Sequence, residues 1–340
     1  CWFIRQSGHW KFGRKKRSLQ RRCFRLLEQP FNFKDFVLQL LYFPSVLPIL
    51  GFIVGAIFGS FLNVCAYRIP IGKSVITPGS HCPNCGTNIR WFQNLPVLTW
   101  LLQKGQAQCC SYRIPIRYWL VELSVGLLFG YIAYLYSQDL DLITLIARLV
   151  FSWIMIAVMV IDFETMMIPD RLSVGGAFLG VTFCFIFPEL NQMNSSSSWS
   201  LHFLSGLQSC LGLLIGSALL YWIGVMAQIA FGREALGEGD VKLLGCIGAF
   251  CGWQGAIFAI FGGALIGTLL LIPLMLIQKF SKRGEVKESE SEIQWGAEVP
   301  FGPYLAIAGI IYFAGASSVI DPWFYPILWL FDNTSIIGAF

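Results

Sequence analysis

Two aspartates stand out because of where the chain puts them. Asp162 closes an apolar run in Val160-Ile161-Asp162-Phe163-Glu164-Thr165-Met166-Met167-Ile168-Pro169-Asp170, and Asp240 immediately precedes another in Leu236-Gly237-Glu238-Gly239-Asp240-Val241-Lys242. Ionisable groups at or within membrane spans are costly, so each is a functional candidate. Two carboxylates on one face of a helical bundle can divide a reaction. One takes a proton from water, while the other, protonated, hydrogen-bonds the carbonyl under attack. That is aspartic protease chemistry. Gly237 and Gly239 flank Glu238 and lack the Cβ that would keep a substrate strand away from Asp240. The plainer role for either aspartate alone is a helix cap. Glu164, Asp170, Glu234 and Glu238 read as solvated interfacial charges, of which Glu164 and Glu238 are also candidates for binding a basic peptide.

A second group is made of sulfur. Cys82-Pro83-Asn84-Cys85 places two thiols at the spacing that grips one tetrahedral ion, and Cys109 and Cys110 follow 24 residues or more later. Zinc is the default metal for such a set; the alternative is a metal-free loop of reduced thiols, since a stable disulfide does not suit a cytoplasmic loop. Cys184, Cys210, Cys246 and Cys251 lie inside apolar runs and read as small buried hydrophobes.

The elements that must position these groups are membrane helices. Hydrophobic residues make up 56% of the 340 residues and charged ones only 13%, which leaves too little polar surface for a soluble globule of this size. The net charge of +5 sits largely in short loops, where it sets topology and gives no reason to invoke a nucleic acid. Apolar stretches predict an all-α polytopic membrane protein of about eight transmembrane helices, near 43–65, 119–137, 142–161, 172–188, 203–230, 242–259, 261–278 and 301–320. Gly262-Gly263 is taken as the division of the long stretch after Lys242. The loop carrying Arg68, Lys73, Arg90, Lys104, Arg113 and Arg117 contains no acid and is expected in the cytoplasm. Counting crossings from there brings Asp162 and Asp240 to the same, cytoplasmic face, together with the basic cluster Lys279, Lys282, Arg283 and Lys287. The polar run Ser195–Ser198 and both termini then fall outside. The expected organisation is a basic tail over 1–42 outside the catalytic fold, a first helix over 43–65, a small cytoplasmic cysteine loop over 66–118, a seven-helix protease core over 119–320 and a tail over 321–340. The alternative role for the basic tail is contact with anionic lipid.

These residues together resemble the prepilin peptidases, or type IV leader peptidases, over nearly all of 50–315. Gly59-Ser60-Phe61-Leu62-Asn63-Val64 with Tyr67-Arg68-Ile69-Pro70 is similar to the family's first-span signature. Cys82-Pro83-Asn84-Cys85, Asn94-Leu95-Pro96, Arg117-Tyr118 with Val121-Glu122, and Ile161-Asp162 with Ile168-Pro169-Asp170 follow in order. Gly237-Glu238-Gly239-Asp240-Val241-Lys242 and Val299-Pro300-Phe301-Gly302-Pro303-Tyr304 complete the series. A lone Gly-x-Gly-Asp also occurs in presenilin-like proteases; the ordered set is what carries the resemblance. It implies that Asp162 and Asp240 are the catalytic pair of a peptidase of the bacterial inner membrane, working at the cytoplasmic face. Its protein substrates would be type IV prepilins or pseudopilins, cut after the glycine that ends a short basic leader. Many members then methylate the new N-terminus using S-adenosylmethionine. The family's second cysteine pair is usually also Cys-x-x-Cys, whereas here Ala107 stands at its first position. Cys110 matches the last ligand, leaving Cys109 or His81 for the fourth. Pro300-Phe301-Gly302-Pro303 reads as a helix start that the resemblance puts near the catalytic pair. The competing functions are a proton-coupled transporter and a non-catalytic scaffold for pilus or secretion assembly.

Overall fold

The computed structural model describes residues 46–82, 84–110, 112–136, 141–191, 199–232, 236–281 and 300–326. Glu234, the Ser195–Ser198 run and Lys282, Arg283 and Lys287 lie outside them. Among the described residues the chain is helical, with strand pairing confined to two isolated bridges. The long helices are α1 (Val46–Arg68), α3 (Ile116–Leu135), α4 (Leu142–Thr165), α5 (Asp170–Ile186), α6 (Trp199–Phe231) and α7 (Glu238–Ser281); a short α2 (Leu98–Leu102) lies in the first loop, and α8 (Gly302–Ile311) follows α7. Among the described residues six segments are long and apolar enough to cross a membrane: α1, α3, α4, α6, α7 and Gly302–Phe324. α5, at 17 residues, sits at the short end of what spans a bilayer.

α1 and α3 are held by backbone proximity. Gly51, Gly55 and Gly59 recur every four residues and form one stripe. A Cβ on Gly51 would stand 2.8 Å from Ala133 Cβ, one on Gly55 2.7 Å from Phe129 Cβ, and one on Gly59 2.8 Å from Glu122 Cα. In lipid, where apolar burial gives little drive for helices to associate, such small-residue seams let van der Waals contact do so. Asn63 continues the stripe, donating from Nδ2 to the Tyr118 carbonyl at 3.1 Å. A second seam joins α6 to α7, with Ser209 Oγ donating to the Ala249 carbonyl at 2.6 Å.

The 44 residues of α7 would extend about 66 Å if straight, roughly twice the ~30 Å hydrocarbon core. The chain instead reverses at Gly252, whose φ of 69° and ψ of 179° are open essentially to glycine alone. A Cβ on Gly216 would lie 2.9 Å from Leu244 O and 3.1 Å from Ala256 Cβ; twelve residues apart, these would be about 18 Å from each other along a straight helix. Division of this stretch at Gly262-Gly263 is therefore corrected to Gly252. The glycine pair has another use, bringing the returning arm against α8, with Gly262 beside Ala308 and Gly263 beside Leu305.

α4 runs through the centre, with Phe151, Met155, Val158 and Ile161 fully buried. Phe151 packs against Phe250 of α7 at 5.1 Å and Phe313 at 4.9 Å between ring centroids. The helix that carries Asp162 is thereby locked into the core.

Candidate active site

Asp162 lies in the last turn of α4 and is 4% exposed; Asp240 lies in the first turn of α7 and is 9% exposed. α4 stops three residues after Asp162 because Met166 adopts a left-handed conformation, φ 49° and ψ 34°, while donating its N–H to the Asp162 carbonyl at 2.9 Å. Pro169 then starts α5, its carbonyl accepting from the N–H groups of Leu172 and Ser173. On the other side, Asp240 N–H donates to the Gly237 carbonyl at 3.2 Å, fixing the turn that opens α7.

Ile168 and Gly302 close the space between them. A Cβ on Gly239 would sit 3.0 Å from Ile168 Cβ, and one on Gly302 would sit 2.9 Å from Ile168 Cδ1 and 2.5 Å from Asp162 Oδ2. The end of α4 and the starts of α5, α7 and α8 thus converge on one locality. Helix starts present unpaired N–H groups and positive dipole ends, a favourable setting for negative charge. Among the described residues neither aspartate has a basic side chain bonded to it. Two cations close by in sequence or pairing are engaged elsewhere: Arg117 pairs with Glu164, and Lys242 Nζ donates to Asp170 Oδ1 at 2.8 Å. Two buried carboxylates sharing a site hold one proton between them more readily than two charges. One carboxylate and one carboxylic acid are what water activation and carbonyl polarisation require.

Of the proposed substrate contacts, Gly239 lies at the pair, and Gly237 lies next to Asp240, with a Cβ there 3.6 Å from Oδ2. Glu238 is exposed. Glu164 is tied to Arg117 at the start of α3, so its charge joins two helices instead of facing a ligand alone. Gly302, which the sequence offered as part of a helix start that the resemblance put near the pair, lies against Asp162.

The cysteine loop is built from two matching turns. An antiparallel bridge between His81 and Asn88 brackets Cys82 and Cys85, and one between Gln106 and Arg113 brackets Cys109 and Cys110. Gly86, at φ 70°, lets the first turn close by donating to the Cys82 carbonyl at 2.9 Å. The four sulfurs lie within 4.8 Å of one another. Cys82–Cys110, Cys85–Cys109 and Cys109–Cys110 separations are 3.6, 3.3 and 3.8 Å, close to the roughly 3.8 Å edge of a tetrahedron with Zn–S bonds of about 2.3 Å. The donor set fits zinc. Hydrogen bonding with Thr87 pushes the Cys85 thiol down to about 6, and hydrogen bonding with Cys85 and Cys82 pushes Cys109 up to about 12. His81 turns away, its Nδ1 lying 3.0 Å from the Gly79 carbonyl, so the fourth sulfur of the group is Cys109.

The first loop has a further anchor. Glu122 Oε2, on α3, accepts from the Val97 N–H at 2.7 Å. Val97 is not a glycine yet has φ 63° and ψ −48°, with Leu98 N–H reaching back to the Pro96 carbonyl at 2.6 Å. Such tight turns are strained by ~1–3 kcal/mol and persist only where their surroundings hold them.

Comparison with known proteins identifies the family. Residues 53–136 match the profile described as bacterial peptidase A24 N-terminal domain, and residues 149–272, which hold both aspartates, match that of the type IV leader peptidase family. A prepilin leader peptidase/N-methyltransferase of Dichelobacter nodosus is 32% identical over 285 residues, covering 75% of this chain and 87% of that protein. The protein of the same description from Pseudomonas putida is 30% identical over 292 residues, covering 79% and 90%, and that from Myxococcus xanthus 27% over 341 residues, covering 84% and 94%. No solved structure matches. With the paired aspartates, the four-cysteine loop and these relatives in agreement over most of its length, the chain belongs to the type IV leader peptidase family.

Proposed function

We propose that this protein is a bifunctional prepilin peptidase that cuts the leader from type IV prepilins or pseudopilins and then methylates the exposed N-terminus with S-adenosylmethionine as donor. The observation that supports the first activity is the convergence of the buried Asp162 and Asp240 around Ile168, without a basic partner among the described residues, beside the Cβ-free backbone of Gly239 and Gly302. The ionised aspartate accepts a proton as water attacks the scissile carbonyl carbon. The protonated one donates a hydrogen bond to the carbonyl oxygen. Collapse of the tetrahedral intermediate breaks the C–N bond, and the departing amine takes up the proton. The second activity rests on the names borne by the relatives.

In this reading the protein crosses the inner membrane eight times, with α5 and the two arms of α7 each counted as a span, and the aspartates face the cytoplasm. The acid-free basic loop supports that orientation. The Arg117–Glu164 pair supports placing the first loop and the aspartates on one side. The working division of the chain falls between α3, which packs along α1, and α4, so that 149–272 holds the peptidase and 53–136 a separate module whose cysteines hold zinc. Membranes carrying the protein, mixed with a prepilin with and without S-adenosylmethionine and read by mass spectrometry, test both activities at once. An uncut prepilin would overturn the peptidase reading. A cut but unmethylated one would overturn only the second activity.

A further inference from the structure

A peptidase pair in the 149–272 module leaves the second activity without residues, and the other module carries a polar group that the aspartates do not explain. Glu122 stands six residues into α3, about 9 Å along the helix from its start, between α1 and the first loop. Its carboxylate accepts a hydrogen bond from the Val97 N–H, a neutral donor, at 2.7 Å. Among the described residues no basic side chain is bonded to it. Glu122 is half-buried, and an ionisable group inside a span is a functional candidate.

Two further polar groups beside it lack a partner. Asn63 lies on α1 and is 3% exposed; its Oδ1 has no hydrogen-bond partner. Trp119 lies one turn from Glu122 along α3, and its Nε1–H is buried without an acceptor. The ring of Trp119 packs against Trp100 of the loop at 5.7 Å between centroids. Asn63 bonds the Tyr118 carbonyl, one turn before Glu122 on α3, so a carboxylate and an amide oxygen stand about one turn apart across the α1–α3 seam, and both suit a protonated amine as charge and acceptor, with the Trp119 and Trp100 rings beside them. The donor now occupying the carboxylate is the amide of a strained turn, which an incoming ammonium can replace.

We infer that Glu122, with Asn63, forms the acceptor site for methyl transfer, binding the newly freed N-terminal α-ammonium of the substrate. The inference rests on the bifunctional reading above. Glu122 takes a proton from the ammonium. The nitrogen lone pair then attacks the methyl carbon of the sulfonium donor, forming C–N as the C–S bond breaks and its electron pair returns to sulfur. The neutral thioether departs, and the two remaining ammonium protons stay on the product nitrogen, which is a secondary ammonium.

The test is Glu122→Gln, assayed with prepilin and S-adenosylmethionine by mass spectrometry. A glutamine oxygen can still accept from Val97, so the loop contact survives while the charge and the base are lost. The expected result is cleavage at close to the wild-type rate, with methylation at saturating donor lower by at least about 100-fold. The deficit should shrink from about pH 7 to about pH 9, because solvent then supplies the free amine, whose ordinary pKa is about 8; a merely structural role would not restore with pH. Methylation by the variant within a few-fold of wild type overturns the inference. So does parallel loss of cleavage and methylation, which would mark Glu122 as a support of the whole fold. A wild-type protein that cleaves without methylating removes the bifunctional reading itself and is distinguished by needing no variant.

Discussion

Asp162 Oδ2 lies 2.5 Å from the point where a side chain on Gly302 would begin. No Cβ fits there without displacing the carboxylate, so the first residue of α8 sets where Asp162 can stand. Gly302→Ala should therefore lower cleavage, on the order of 100-fold for a displacement near 1 Å, while the protein still inserts and binds metal. A Gly302→Ala protein that cleaves at the wild-type rate would show that Asp162 has room to move without consequence.

Zinc should be present at about one ion per chain, held by Cys82, Cys85, Cys109 and Cys110. Elemental analysis of purified protein checks the stoichiometry. Cys109→Ser should release the ion and expose the loop to protease, because metal binding and local folding are coupled. His81→Ala should retain it. Retention by Cys109→Ser together with loss from His81→Ala would reverse the assignment.

Gly252→Ala tests the reversal in α7. At φ 69° and ψ 179° an alanine is strained by ~1–3 kcal/mol, so the variant should lose thermal stability in detergent. Gly175→Ala, with open space around the added Cβ and an ordinary helical position, serves as the control and should be neutral or slightly stabilising. Equal melting temperatures for the two variants would contradict the hairpin.

The aspartates and the thiol loop stood out in the sequence because ionisable or metal-binding residues in an apolar chain are few. What was illegible depended on contacts between distant segments. Glu122 stands in the sequence only as part of a motif, and only the Val97 N–H, 25 residues earlier, shows what its carboxylate holds. Gly302 reads as part of a helix start, and only Asp162, 140 residues earlier, gives its missing Cβ a purpose. The break at Gly252 could not be chosen by pattern, since Gly245, Gly248, Gly252, Gly255, Gly262 and Gly263 all interrupt the same apolar stretch. Only one of them combines a positive φ with an extended ψ.

The most exposed prediction concerns the pair itself. Asp162→Asn and Asp240→Asn should each lower leader cleavage by about 100- to 10,000-fold and leave insertion and zinc content unchanged. An amide is nearly isosteric with a carboxylate and can still cap a helix, so a structural aspartate in these positions would tolerate the change. A catalytic one cannot, because the amide neither accepts the proton of the attacking water nor returns it to the leaving amine. Glu238→Gln should keep substantial activity, as an exposed carboxylate contributes at most attraction to a basic leader. Glu164→Gln separates two roles: loss of the pairing with Arg117 should loosen the contact between α3 and α4 and lower thermal stability, with cleavage reduced only modestly. The pH profile of cleavage should report two apparent values belonging to the dyad, and each asparagine variant should abolish the profile instead of shifting it. Near-wild-type cleavage by one variant would remove that aspartate from the mechanism, and near-wild-type cleavage by both would end the protease reading.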